Sequence, residues 1–259
     1  MLRTILLSCL LICGLSSAIA AAPPTVAAAS VLRFALPEVA DAFAARTGIR
    51  PRLSFGSSGN LRRQIARGAP FSLFLSADEE FPLDLDREGL TLDDGDVYAE
   101  GRLALLLPKA SPLLSDGTLS DLGDALADGR LKHLAIANPE TAPYGKAARQ
   151  VLEHLGLWQE VQSLLVIGEN VAQAAQFASS GTAEAGLVAY PLAVSSRLDA
   201  CCRFVGIPSE MHARMSQRGV LTRGAGEDAQ AFFQFLLGPE GRIILQKNGF
   251  RLPDAVAKH

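Results

Sequence analysis

Phe55-Gly56-Ser57-Ser58-Gly59-Asn60-Leu61, followed directly by residues 62–70, is the stretch that decides how this 259-residue chain folds. Ser57, Ser58 and Asn60 are residue types that favour helix N-termini, and Gly68 is placed to stop a short helix. The first N–H groups of such a helix have no partner within the helix and carry the positive end of its dipole. With a serine hydroxyl beside them they can bind an anion. Many loops of this composition only cap a helix, so this stretch alone leaves both interpretations open.

The same strand–loop–helix arrangement occurs at three further places. Apolar runs that end at Ala29, Ala137 and Ile167 are each followed by a short loop and then by apolar residues with helical spacing. Strands that alternate with helices in this way are typical of α/β proteins with largely parallel sheets. The four junctions are therefore expected at the carboxyl ends of strands, where such sheets bind ligands.

Strand and helix patterns alternate along most of the chain. The candidate strands are residues 71–75, 102–107, 131–137, 164–167, 186–189, 203–205 and 220–221. The candidate helices are residues 32–45, 145–155, 171–179, 227–237 and 239–247. Pro37 lies inside the first helical pattern and has no N–H to donate, which predicts either a kink or a later helix start.

The distribution of the four junctions predicts two lobes with a ligand cleft between them. Two junctions lie before residue 80 and two lie after residue 130. Each lobe is expected to be a mostly parallel sheet flanked by helices. The first lobe is assigned residues 23–104 and 209–257, and the second lobe residues 105–208. The chain is expected to cross between the lobes near residues 102–107 and 203–221, which would form a hinge.

The first 22 residues have the pattern of a secretory signal peptide. Arg3 provides a positive start, residues 5–15 are apolar, and small residues near position 20 form a cleavage site of the A-x-A type. The apolar run is shorter than the roughly 20 residues of a membrane-spanning helix. A lipid attached to Cys9 or Cys13 is the alternative, although Ile12 is a poor residue before a lipidated cysteine. The sequence therefore predicts export to the periplasm.

Charge and cysteine content limit the possible partners. The formal net charge is −3, and the predicted leader removes only Arg3, so no general attraction to nucleic acid is expected. The four histidines are scattered, and no cluster with metal-ligand spacing occurs. Cys201 and Cys202 are adjacent, and such neighbours bridge only through a strained ring. A free or weakly bridged pair is predicted.

The main enzyme classes lack their motifs in this chain. Residues 56–59 do not form the G-x-S-x-G turn of a secreted serine hydrolase. No histidine lies in a recognisable pattern for the catalytic base that such a serine needs. Asn60-Leu61 stand where a phosphate-binding loop would have its lysine. An enzyme is not expected.

Six sequence blocks in order resemble the molybdate-binding proteins of bacterial ABC importers, within the two-lobed periplasmic binding proteins. The resemblance extends from about Val26 to Pro253. Its blocks are residues 27–30, 54–65, 68–78, 138–145 (Asn-Pro-Glu, then Pro-Tyr-Gly), 168–171 (Gly-Glu-Asn-Val) and 238–250 (Gly-Pro-Glu-Gly-Arg, then Gly-Phe). Each block is weak alone, and their order makes the resemblance specific.

The resemblance implies a tetrahedral dianion bound by uncharged donors. By position, Ser30 and Ser58 would contribute hydroxyl and backbone N–H groups, and Tyr144 and Val171 would contribute backbone N–H groups. The tyrosine that relatives often carry after the strand ending at Ala189 would correspond to Tyr190, displaced by one position. The Tyr144 hydroxyl is an alternative source of that contact. Molybdenum would be present only inside the oxyanion, without direct bonds to the protein.

The resemblance also implies the biological role and the selectivity. The protein would deliver molybdate, and also tungstate, to the membrane permease of an ABC importer, as a monomer without a cofactor. A rigid shell of donors suits these anions and leaves gaps around the smaller sulfate. Phosphate is protonated at neutral pH, and donors alone cannot accept its proton. Binding of sulfate or of a small organic anion is the alternative, and a secreted hydrolase is the alternative from another class.

Overall fold

The computed structural model describes residues 22–114 and 119–253. The predicted leader lies outside these residues apart from its last position. The strands of the described part are β1 (Thr25–Ala29), β2 (Arg52–Gly56), β3 (Leu73–Leu75), β4 (Asp96–Glu100), β5 (Leu103–Pro108), β6 (Leu134–Ala137), β7 (Leu165–Gly168), β8 (Ala185–Ala189), β9 (Cys202–Gly206) and β10 (Ser216–Leu221).

The α-helices of the described part alternate with these strands. They are α1 (Ala35–Thr47), α2 (Ser58–Ala66), α3 (Glu80–Arg87), α4 (Ser120–Ala127), α5 (Pro143–His154), α6 (Trp158–Val161), α7 (Val171–Ser179), α8 (Tyr190–Ala193), α9 (Glu227–Leu237) and α10 (Pro239–Lys247). Short 3-10 turns are formed by Ser30–Arg33, Gln162–Leu164 and Ser209–Met211.

The strands form two five-stranded sheets, with the orders β2-β1-β3-β10-β4 and β7-β6-β8-β5-β9. In the first sheet only β10 runs against its neighbours, and in the second only β5 does so. The prediction of mostly parallel sheets flanked by helices is therefore confirmed. Because β5 and β8 are buried on both faces, they read as continuous apolar runs rather than as alternating patterns.

Within the described residues the chain passes between the sheets twice, and the two crossings are neighbours. Residues 101–102 lead from β4 to β5, and residues 207–215 lead back from β9 to β10. The Gly101 N–H donates a hydrogen bond to the Met215 carbonyl oxygen (2.7 Å), which joins the crossings. The division of the whole chain into lobes at residues 104 and 209 stays a prediction.

Several element boundaries differ from the sequence expectation. A 3-10 turn precedes α1, which begins at Ala35, so Pro37 lies in the first turn of the helix, where a missing N–H leaves no hydrogen bond unmade. Helix α5 begins two residues earlier than predicted, with Pro143 at its first position. Strand β4 and helices α3 and α4 were not predicted, because each is only five to eight residues long and offers few positions in which a period can be recognised.

Candidate functional site

The four strand-to-helix junctions surround one small cavity between the two sheets. Its lining residues are Ala29, Ser30, Val31, Gly56, Ser57, Ser58, Ala77, Ala142, Pro143, Tyr144 and Val171. Ser30, Ser58, Tyr144 and Val171, the residues singled out in the sequence, are all among them. Tyr190 is not.

The first sheet contributes two buried serines. Ser58 is the first residue of α2 and is 1% exposed, and its Oγ accepts a hydrogen bond from the Ala77 N–H (3.0 Å). Ser30 follows β1 and is 4% exposed. Its Oγ accepts a hydrogen bond from the Ala172 N–H (3.3 Å), which belongs to the start of α7 on the other side of the cleft. Both hydroxyls therefore lie where an enclosed ligand would meet them.

The second sheet contributes the starts of α5 and α7. Asn170 caps α7, and its Oδ1 accepts hydrogen bonds from the N–H groups of Ala172 and Gln173 (3.1 and 3.2 Å). Within the described residues, the N–H groups of Tyr144 and Val171 have no hydrogen-bond partner. Unpaired buried N–H groups are costly, and at a helix start they attract negative charge. These two groups are therefore available to an anion in the cavity.

Ser57 is a site residue that is not among the ligands implied by the family resemblance. It precedes α2, yet its side chain makes no capping hydrogen bond. It is 2% exposed, and its Oγ lacks a partner among the described atoms. A buried hydroxyl without a partner is unfavourable unless a ligand or water supplies one. Its position between a strand end and Ser58 was the available signal, but the sequence could not show where the hydroxyl points.

The two sheets' loops meet directly beside the cavity, so the cleft is closed. The Gly59 N–H donates to the Thr141 carbonyl oxygen (2.9 Å). Asn60 Nδ2 donates to Glu169 Oε1 (2.9 Å). Lys146 Nζ lies 3.2 Å from Glu80 Oε2 at the exposed rim. A ligand in the cavity would therefore be shielded from solvent on several sides.

None of the described residues that line the cavity has a charged side chain. The cations close to the helix starts are paired elsewhere: Arg62 contacts Glu88 and Lys146 contacts Glu80. Asp78 lies near the same junctions. Burial raises the pKa of its carboxyl group to about 6, although hydrogen bonds from Ser76 and Phe81 lower it in part. The cavity thus offers uncharged donors. The Asp78 carboxyl group, whose charge changes with pH, lies just outside its lining.

The two tyrosines considered in the sequence occupy different environments. Tyr144 is 1% exposed, and its hydroxyl oxygen accepts a hydrogen bond from Gln217 Nε2 (2.8 Å) on β10. Burial raises the pKa of Tyr144 far above its ordinary value. Its side chain is thus engaged near the crossings, which leaves the backbone N–H for the cavity. Tyr190 begins α8, and its ring packs 4.0 Å from the Arg102 guanidinium.

Within residues 22–114 and 119–253, no group of three or more His, Cys, Asp or Glu side chains is placed to hold a metal ion. In the same residues no helix has both the length and the apolar character needed to span a membrane. Two sheets with flanking helices, joined by adjacent crossings and closed over a small uncharged cavity, define a two-lobed ligand-binding protein of the periplasmic binding class.

Comparison with known proteins agrees with this class. Residues 24–251 match the family of bacterial extracellular solute-binding proteins. The molybdate-binding protein ModA of Azotobacter vinelandii is 37% identical, over 92% of this chain and 93% of that protein. ModA of Rhodobacter capsulatus is 36% identical, over 90% of each chain. A solved structure of the Azotobacter vinelandii periplasmic molybdate-binding protein superposes with a TM-score of 0.81 at 34% identity, over 89% of this chain and all of that one.

This chain therefore belongs to the bacterial extracellular solute-binding protein family, and within it to the molybdate-binding proteins. The relatives are binding proteins rather than enzymes.

Proposed function

We propose that this protein binds molybdate in the closed cavity and delivers it to the permease of an ABC importer. The observation that carries the proposal is the convergence of four chain segments, two from each sheet, that bring uncharged N–H and O–H groups to one buried space. The names of the relatives support molybdate as the ligand. Export to the periplasm and action as a monomer without a cofactor belong to the same proposal.

The donors suit a dianion for a physical reason. An anion taken out of water loses its hydration, and hydrogen bonds to helix N-termini and hydroxyls replace that hydration. We assign this role to the N–H groups of Ser58, Tyr144 and Val171 and to the hydroxyls of Ser30 and Ser58. Ser57, with its buried unpartnered hydroxyl, joins them as a further donor. The described lining residues include no lysine or arginine, whose positive charge would also attract other anions.

The proposed ligand range follows from the same donors. Tungstate has the shape and charge of molybdate and is expected to bind equally. Hydrogen phosphate carries a proton that needs an acceptor, and the lining residues offer no carboxylate. Binding without catalysis is proposed because no histidine or carboxylate in the lining could act as a general base beside the serines.

Thermal unfolding with a panel of anions tests this function. Molybdate at 100 times its dissociation constant should add about 2.7 kcal/mol to the free energy of unfolding, and phosphate should add nothing at the same concentration. A larger shift with sulfate than with molybdate would make the protein a sulfate receptor, and no shift with any oxyanion would refute the proposal.

A pair of serine variants tests the site itself. Ser58→Ala removes a hydroxyl from the cavity and should weaken molybdate binding by about 1 to 3 kcal/mol, roughly 5- to 150-fold. Ser54→Ala is the matched control, because Ser54 is exposed on the neighbouring strand β2. Equal affinities of the two variants by calorimetry would remove Ser58 from the site.

A further inference from the structure

The two adjacent cysteines lie outside the cavity, at the start of an edge strand. Cys202 begins β9, which forms the edge of the second sheet beside β5. Cys201 ends the turn before it. Both cysteines are unbridged, and their Sγ atoms are only 3.1 Å apart. Two thiols therefore face each other at contact distance.

The two thiols differ in their access to solvent. Cys202 is 9% exposed, and its residue pairs with Pro108 of β5. Burial raises the pKa of the Cys202 thiol to about 12. Cys201 is half-buried, and its Sγ lies 3.4 Å from the Leu198 carbonyl oxygen, which also accepts hydrogen bonds from the N–H groups of both cysteines. A reagent from solvent would thus reach Cys201 first.

We propose that Cys201 and Cys202 form a reversible redox site that closes to a vicinal disulfide when it meets a small disulfide oxidant. The Cys201 thiolate attacks one sulfur of the oxidant, which forms a mixed disulfide and releases one thiolate. Cys202 then loses its proton to solvent and attacks Cys201 Sγ, which releases the second thiolate. The pair gives up two electrons and two protons, and the oxidant becomes two thiols.

The site is reversible because the ring is strained. Adjacent Cα atoms are about 3.8 Å apart across a trans peptide, which is shorter than the usual separation in disulfides of about 4.4 to 6.8 Å. Strained disulfides are the more easily reduced ones, and they are typically labile rather than structural. A metal site is not favoured, since the described residues place no third metal-ligating group beside the two thiols.

The position of the pair separates this inference from the proposed function. Neither cysteine lines the anion cavity, so the redox chemistry and molybdate binding are measured independently. The turn before β9 also carries Arg197, whose guanidinium lies 4.8 Å from the centre of the Phe34 ring on the other side of the cleft. Oxidation would therefore occur beside a segment that contacts both halves of the molecule.

Peptide mass measurement after oxidation tests the proposal. The chain is incubated with oxidised glutathione, blocked with iodoacetamide and digested with trypsin, which releases Leu198–Arg203 with both cysteines. We expect this peptide to be unalkylated and lighter by the mass of two hydrogen atoms, and to regain two alkylatable thiols after dithiothreitol. Two free thiols after the incubation, or one glutathione held on Cys201 as the end product, would overturn the proposal.

Two serine variants check the order of the steps. Cys202→Ser should stop at the mixed disulfide on Cys201, because no neighbouring thiol remains to displace the glutathione. Cys201→Ser should leave the buried Cys202 largely unmodified. Faster modification of Cys202 than of Cys201 would contradict the assignment of Cys201 as the attacking thiol. The measurement on the wild-type chain is sufficient to decide the proposal, even if a variant fails to fold.

Discussion

Gly59 offers a way to hinder closure of the cleft without removing any group from the proposed anion site. It is the second residue of α2, and its N–H donates to the Thr141 carbonyl oxygen across the cleft (2.9 Å). A Cβ atom added here would lie 2.9 Å from that oxygen and 3.2 Å from the Thr141 Cα atom, whereas ordinary contacts begin near 3.4 Å. On its own side of the cleft it would lie 3.1 Å from Cζ of Phe81, the far end of a side chain that can shift slightly. Gly59→Ala therefore requires the two sides of the cleft to move apart by a few tenths of an ångström.

The expected effects on affinity and on stability have opposite signs. Overpacking of this kind costs about 1 to 3 kcal/mol, so molybdate binding should weaken roughly 5- to 150-fold. Separating the lobes relieves the clash with Thr141, and alanine is the better helix former by about 0.5 to 1 kcal/mol. Unfolding of the protein without molybdate should therefore occur at the same temperature as in the wild type or a higher one.

Titration calorimetry and thermal unfolding measure these two effects. Gly123→Ala in α4 is the matched control, because its new Cβ would meet only Leu157 Cδ2 at 3.7 Å, an ordinary contact. Its affinity should equal that of the wild type. Wild-type affinity in Gly59→Ala as well would refute the argument that closure at Thr141 is coupled to binding.

Three further variants test other parts of the site. Arg62→Ala should leave the affinity for molybdate within about threefold by calorimetry, since Arg62 pairs with Glu88 and is not among the residues that line the cavity; a hundredfold loss would place a cation in the coordination shell. Tyr144→Phe keeps the backbone N–H but takes a hydrogen-bond partner from the buried Gln217, so the free energy of unfolding should fall by about 1 to 3 kcal/mol. Affinity should stay within about threefold, and a larger loss would assign the hydroxyl to the ligand. Burial raises the pKa of Asp78 to about 6. The protonated carboxyl group therefore stabilises the folded state at low pH, and this contribution to the free energy of unfolding is lost as the pH rises through 6. Asp78→Asn should therefore raise the melting temperature well above pH 6 and lose that gain near the ordinary value of 3.8, whereas an equal gain at both pH values would contradict the shift.

Much of the site could be predicted because its signals are local. Local order predicted the strand-to-helix junctions that contain Ser58 and Val171, and the family resemblance then selected these two residues as ligands. Both line the cavity. The predicted roles of Ser30, Ser58, Tyr144 and Val171 as anion ligands remain proposals.

The sequence could not show which way side chains turn. Ser57 and Ser58 are chemically alike and adjacent, yet one hydroxyl accepts a hydrogen bond from Ala77 and the other has no partner. Tyr190 stands one residue after β8, and its ring packs on Arg102 instead of lining the cavity. These outcomes depend on neighbours 19 or more positions away or on the packing of the crossings, so no local pattern encodes them.

The sequence by itself determined the alternation of strands and helices, the positions of the four strand-to-helix junctions and the adjacency of the two cysteines, because each depends on residues close together in the chain. Only the tertiary structure decided that the junctions of both sheets share one enclosed space and that Gly59 touches Thr141. It also decided that one cysteine is more buried than the other. Such contacts join distant segments, and their geometry depends on how the crossings place the two sheets relative to each other.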